Sequence, residues 1–171
     1  ASEGKLTVVF ATLNVVDKDR DVTIPGAFGE QTAMFLPAHD WGHPAIGVAK
    51  IYEQGNEAIA EISLYMGMTA AREWYESLKG NLENGVNQEF SYGFTIEDSS
   101  RGQMDGKEVQ FLRSVKVHEV SPVVVGAGEG TRTLAVKAAG ANSFRHYRFA
   151  FAGAAPHRFA LTPDGAAAFV P

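Results

Sequence analysis

Residues 108–125 read EVQFLRSVKVHEVSPVVV. The stretch is dense in valine and contains no glycine, which predicts a strand. The same pattern returns on either side of it. Residues 88–97 read as a strand, followed by a loop at Ser99–Gly102 and a turn near Met104-Asp105-Gly106. Residues 45–52 and 57–65 read as two more, joined by Gln54-Gly55-Asn56 as a hairpin. Residues 6–16, LTVVFATLNVV, are β-branched and aromatic with loose alternation. Residues 24–28, IPGAF, read as a turn leading into one or two helical turns up to Leu36. The one clear helix is predicted over 70–82, with Thr69 as its cap, Ala71, Trp74, Leu78 and Leu82 on one face, and Asn84-Gly85 as its end. Strands outnumber helices and do not alternate with them, which excludes a doubly wound sheet. The expected fold is α+β and mostly antiparallel, a small β-barrel or sandwich with one to three helices around it.

A chain of 171 residues is enough for one domain. Its apolar share of 45% permits a true core, and 18 glycines with 7 prolines suit short strands and many turns. The composition changes after residue 137, where Ala, Phe and Arg dominate and periodicity fades. Residues 1–137 are therefore expected to form the domain, and 138–171 a C-terminal extension that docks on a partner, wraps the domain or is processed. The net charge of −5 gives no electrostatic reason to expect nucleic acid or an anionic membrane. The absence of cysteine excludes disulfides, thiolate metal sites and a cysteine nucleophile. No apolar run approaches the ~20 residues that span a bilayer, and the opening Ala-Ser-Glu-Gly-Lys is polar. A soluble, intracellular protein is expected.

Three motifs weaken on inspection. Asp17-Lys-Asp-Arg-Asp21 begins like a calcium loop, but Val22 and Phe28 stand where Gly and Glu are needed, so it reads as a solvated turn. Val125-Gly126-Ala-Gly128-Glu-Gly130 lacks the third glycine of a dinucleotide fingerprint and the helix that should follow. His39-Asp-Trp-Gly-His43 offers two imidazoles four residues apart, but Gly42 and Pro44 oppose the helix such a zinc pair sits on, and no third ligand is evident. A metal-dependent hydrolase built on His39 and His43 stays a minor alternative; no metal or cofactor is expected. Ser91, in Glu89-Phe-Ser-Tyr-Gly93, is not the elbow of an α/β-hydrolase.

Taken together, four segments say more than each alone. They are Asp17 through Pro25-Gly26-Ala27-Phe28, His39 ahead of Ile46-Gly47, Phe90-Ser91-Tyr-Gly93-Phe94, and Val117-His118-Glu119-Val120-Ser121. In wording and order they resemble the prohead proteases of tailed bacteriophages, over roughly residues 6–128. The resemblance implies a serine endopeptidase of capsid maturation with an assemblin-like β-barrel. It would act in the host cytoplasm inside the assembling procapsid, on the scaffold or the scaffold-like part of the major capsid protein and on itself, and as a homo-oligomer. The alternative is a non-enzymatic assembly module that keeps the protease fold.

A serine hydroxyl needs a base within hydrogen-bond reach to become a nucleophile. Imidazole suits because it titrates near neutral pH. By the resemblance, Ser91 is the nucleophile and His39 the base, with His43 as a competitor for that role. A third group must fix the imidazole tautomer. Glu119 matches the family position, and His118 competes with it, since assemblins use a second histidine. Strand neighbours point to opposite faces, so one of the two is expected to look into the site. Ser121, followed by Pro122, reads as a structural strand end.

Overall fold

The computed structural model describes residues 4–137 and two short strands beyond them, Arg158–Leu161 and Ala167–Val170. The valine-rich stretch is a single strand, β7 (Lys107–Val123), and the whole sheet is organised on it. Its antiparallel partner is β6 (Glu89–Met104). The two meet at a tight turn where Asp105 and Gly106 both have positive φ, 51° and 75°, the backbone that a two-residue hairpin of this twist requires. The expected loop at Ser99–Gly102 is therefore part of β6. Ladder pairing with β7 overrides its polar composition.

The other edge of β7 takes two parallel partners, β2 (Asp21–Thr23) at Gln110–Leu112 and β3 (Gln31–Phe35) at Glu119–Val120. The expected helical turns before Leu36 are thus a strand, whose alternate residues Ala33 and Phe35 are buried. From β3 the sheet continues antiparallel through β4 (Gly47–Gln54), β5 (Glu57–Leu64), β1 (Lys5–Thr12) and β8 (Arg132–Lys137). The hairpin expected at Gln54–Asn56 joins β4 to β5. The sheet curls until its ends approach, and side chains bridge the gap. The Phe90 N–H donates to Thr131 Oγ1 at 3.0 Å, and Asn87 Nδ2 donates to the Thr131 carbonyl at 3.4 Å.

Inside the curl, Phe10, Phe28 and Tyr92 meet edge to face, with centroids 5.1–5.4 Å apart, and Phe94 packs on Tyr92. Such aromatic pairs add about 0.5–1.5 kcal/mol each beyond their buried area. The helix α1 (Thr69–Glu83) buries Ala71, Tyr75 and Leu78. Tyr75 takes the central place expected of Trp74, and its hydroxyl donates to the Lys137 carbonyl at 2.7 Å. Met68, not Thr69, is the N-cap; the Thr69 hydroxyl accepts from Arg72. The architecture is the expected α+β one, a curled, half-closed barrel with one α-helix. Strands β9 (Arg158–Leu161) and β10 (Ala167–Val170) pair with each other. Apart from these, the readings of 138–171 lie outside the described residues.

Candidate active site

Phe90, Val120, Val117 and Val115 point into the core. Strict alternation from Val115 and Val117 would send residue 119 inward as well. It does not, because Gly93 pairs with Glu119 while Phe94 pairs with Val117, so His118 is an extra residue in β7. This β-bulge resets the alternation. Val120 returns to the core, and Glu119 and Ser121 share the outer face of the sheet with their cross-strand partners Gly93 and Ser91.

That outer face is roofed by the segment after β3. Leu36 donates its N–H to the Val120 carbonyl, and a 3₁₀ turn, Pro37–His39, follows. Ala38 and His39 both lie in the left-handed region, with φ of 51° and 55°. For residues with a side chain this costs on the order of 1 kcal/mol or more each, and it persists only where the surroundings impose it. Here the turn carries His39 over Glu119. His39 Nδ1 lies 2.6 Å from Glu119 Oε1, and the carboxylate is fully buried. The second oxygen, Oε2, meets the hydroxyl of Ser121, which is also fully buried. A buried carboxylate costs several kcal/mol unless it is paired and hydrogen-bonded; both oxygens of Glu119 are engaged. A carboxylate only accepts, so the neutral His39 ring carries its proton on Nδ1 and leaves the Nε2 lone pair for chemistry.

Gly93 makes this approach possible. A Cβ there would lie 2.6 Å from Glu119 Oε1 and 3.0 Å from Trp41 Cζ2. Trp41 is 65% exposed and meets the His118 ring edge to face. The bulge brings His118 beside Trp41 as well. Its Nε2, however, lies 2.7 Å from Thr95 Oγ1, and the contact with His39 belongs to Glu119. His43 pairs at 2.6 Å with Asp40 on the exposed loop, so the two imidazoles of the H-x-x-x-H stretch engage separate carboxylates. Among the described residues no cluster of three or more His, Asp or Glu is arranged to ligate a metal.

Ser91 is partly exposed and sits directly across from Ser121. Among the described residues its hydroxyl has no hydrogen-bond partner. The next residue, Tyr92, faces inward. Burial pushes its phenol up to about 12, so it is a neutral core group and no rival base.

A family model of caudovirus prohead serine proteases matches residues 6–146. The chain belongs to that family. No curated protein and no solved structure matches it. The stretch shared with the prohead serine proteases spans His39, Ser91, Gly93, Glu119 and Ser121, every residue of the site just described. Membership implies a serine protease that works on capsid proteins in the procapsid within the host cell. No helix among the described residues is long and apolar enough to cross a membrane. Gly93 was legible as a glycine permissive of close approach, whereas the contacts of Ser121 with Glu119 and the His39 turn escaped the sequence reading. The i, i+2 spacing of Glu119 and Ser121 on a strand was the one signal that could have joined them.

Proposed function

We propose that this chain is a serine endopeptidase of capsid maturation in which Ser91 attacks the scissile carbonyl and His39 is the general base. The observation that carries the reading is the His39–Glu119 contact of 2.6 Å, made by a fully buried carboxylate on the sheet face that also bears Ser91. Glu119 fixes the ring with Nε2 free and stabilises the imidazolium that forms as Ser91 gives up its proton. His39 then returns that proton to the leaving amine. Water, activated by the same Nε2, releases the acyl group from Ser91. The substrates are the scaffold, or the scaffold-like part of the major capsid protein, and the protease itself. The enzyme works as a homo-oligomer, with residues 1–137 as the protease domain and 138–171 as its extension.

The test is intact-mass spectrometry after fluorophosphonate treatment, with the capsid protein co-assembled, beside Ser91→Ala and His39→Ala. One adduct on Ser91, lost in both variants, is the expected result. No adduct in the co-assembled wild type, with capsid protein still bound, would instead make the chain an assembly module that keeps the fold.

A further inference from the structure

Ser121 lies fully buried at the centre of the site, yet the proposed chemistry gives it no step. It cannot be the nucleophile. Substrate has no path to its oxygen, and its hydroxyl meets the Glu119 carboxylate and the Leu36 carbonyl, not an imidazole. We propose that Ser121 is the positioning residue of the site, a clamp that fixes both the carboxylate and the turn carrying the base. This rests on the reading of His39 as base.

A serine hydroxyl has one proton and two lone pairs. One lone pair accepts the His39 backbone N–H at 3.1 Å. The proton lies between two acceptors, Glu119 Oε2 and the Leu36 carbonyl, of which the charged one is the stronger. One oxygen atom therefore ties the residue before the turn, the turn's last residue and the carboxylate together. The turn needs such a tie, because Ala38 and His39 hold left-handed backbones that ordinary residues do not keep unaided. The His39 ring needs it too. It is 40% exposed, so packing alone does not hold it, and its ring contact is the one Ser121 steadies from behind. The pairing of the strand does not depend on this hydroxyl. The ladder of β7 runs through its backbone, and Val120 beside it fills the core.

The clamp is tested in the full chain co-assembled with capsid protein, by two readouts. The first is proton NMR of the His39 Nδ1–H, a short hydrogen bond to a buried carboxylate whose resonance falls far downfield. The second is the rate at which a fluorophosphonate labels Ser91. In Ser121→Ala the downfield resonance is expected to vanish and labelling to slow roughly ten- to a hundredfold, the size of loss seen when the outer partners that orient metal-bound histidines are removed. Ser121→Cys, which keeps the volume and a weak donor, should fall between. Ser91→Ala should keep the resonance, and so should Ile62→Val, a core change in β5 that lowers stability away from the site. A Ser121→Ala protein that keeps the resonance and labels within twofold of wild type overturns the clamp. If the wild type is not labelled but its resonance is present and disappears in Ser121→Ala, the clamp stands and the assignment of Ser91 falls.

Discussion

Two histidine–carboxylate pairs sit four residues apart in this chain, and both close to 2.6 Å. His39 meets Glu119 across the sheet. His43 meets Asp40 within its own loop. Distance does not separate them, but surroundings do. Glu119 is fully buried and bound on both oxygens, whereas His43 and Asp40 are 78% and 50% exposed. In water such a pair contributes about 0–1 kcal/mol and is screened by salt. Behind a dry wall the same contact sets a tautomer and holds charge where a transition state needs it. Chemistry is therefore expected of the first pair and loop geometry of the second.

The sharpest way to break that contrast is to remove each ring. His39→Ala should lower Ser91 labelling and capsid-protein cleavage by on the order of 10⁴-fold or more, while His43→Ala stays within about threefold. The reverse ranking, with His43→Ala the damaging change, would show that the exposed pair supplies the base. Exchanging the carboxylates comes next. Glu119→Gln should cost roughly 10³–10⁴-fold in kcat with little change in KM, and Asp40→Asn about twofold or less, in a comparison of cleavage kinetics at one pH. A smaller blow crowds the buried pair without removing either partner. Gly93→Ala pushes a methyl into the buried Glu119 Oε1 and should slow labelling roughly ten- to a hundredfold, as an ångström of misplacement does, and lower stability by about 1–3 kcal/mol, as overpacking does.

The smallest effect concerns carboxylates with no histidine at all. Burial raises the pKa of Asp17 and of Asp21 above the usual 3.8, and neighbouring aspartates add to it. A raised folded-state value means that their contribution to stability is complete below the unfolded value and is lost as pH rises through the folded one. Asp21→Asn should therefore be neutral or slightly stabilising at pH 7 and lose that advantage below about pH 4, as read by urea denaturation across pH. Destabilisation at pH 7 would instead give the Asp21 charge a structural task.

The strand-rich class, the β4–β5 hairpin and the end of α1 were legible because each rests on local chemistry, such as valine runs, a Gly-Asn turn or an Asn-Gly stop. β3 was not. Its five residues, QTAMF, pair along their whole length with β4, and the last two also lie parallel to residues 119–120, more than eighty positions away, so tertiary pairing and not local pattern makes the strand. The polar second half of β6 was not legible either, since β7 imposes its pairing. Within the site, His39, Ser91 and Glu119 were singled out by resemblance. Ser121 was set aside on account of Pro122, yet the strand tolerates that proline. Its partner Phe90 sends its N–H to Thr131 and not to β7, so that rung asks for no donor from residue 122. The choice between His118 and Glu119 depended on a bulge, and no single sequence shows which residue a ladder will leave unpaired.

Three such slips interrupt the β6–β7 ladder, at Gly93/Phe94, Ile96/Asp98 and Asp98/Ser99. Each breaks the rigid correspondence between one stretch of the hairpin and the next. The turn at Asp105-Gly106 thus lies three such slips away from the site along the hairpin. New sequence grafted into that turn, an epitope or a fluorescent tag, would disturb pairing only as far as the nearest slip. The hairpin tip is thus the natural attachment point for a label that reports on this protein inside a maturing shell while Glu119 and Ser91 stay in register.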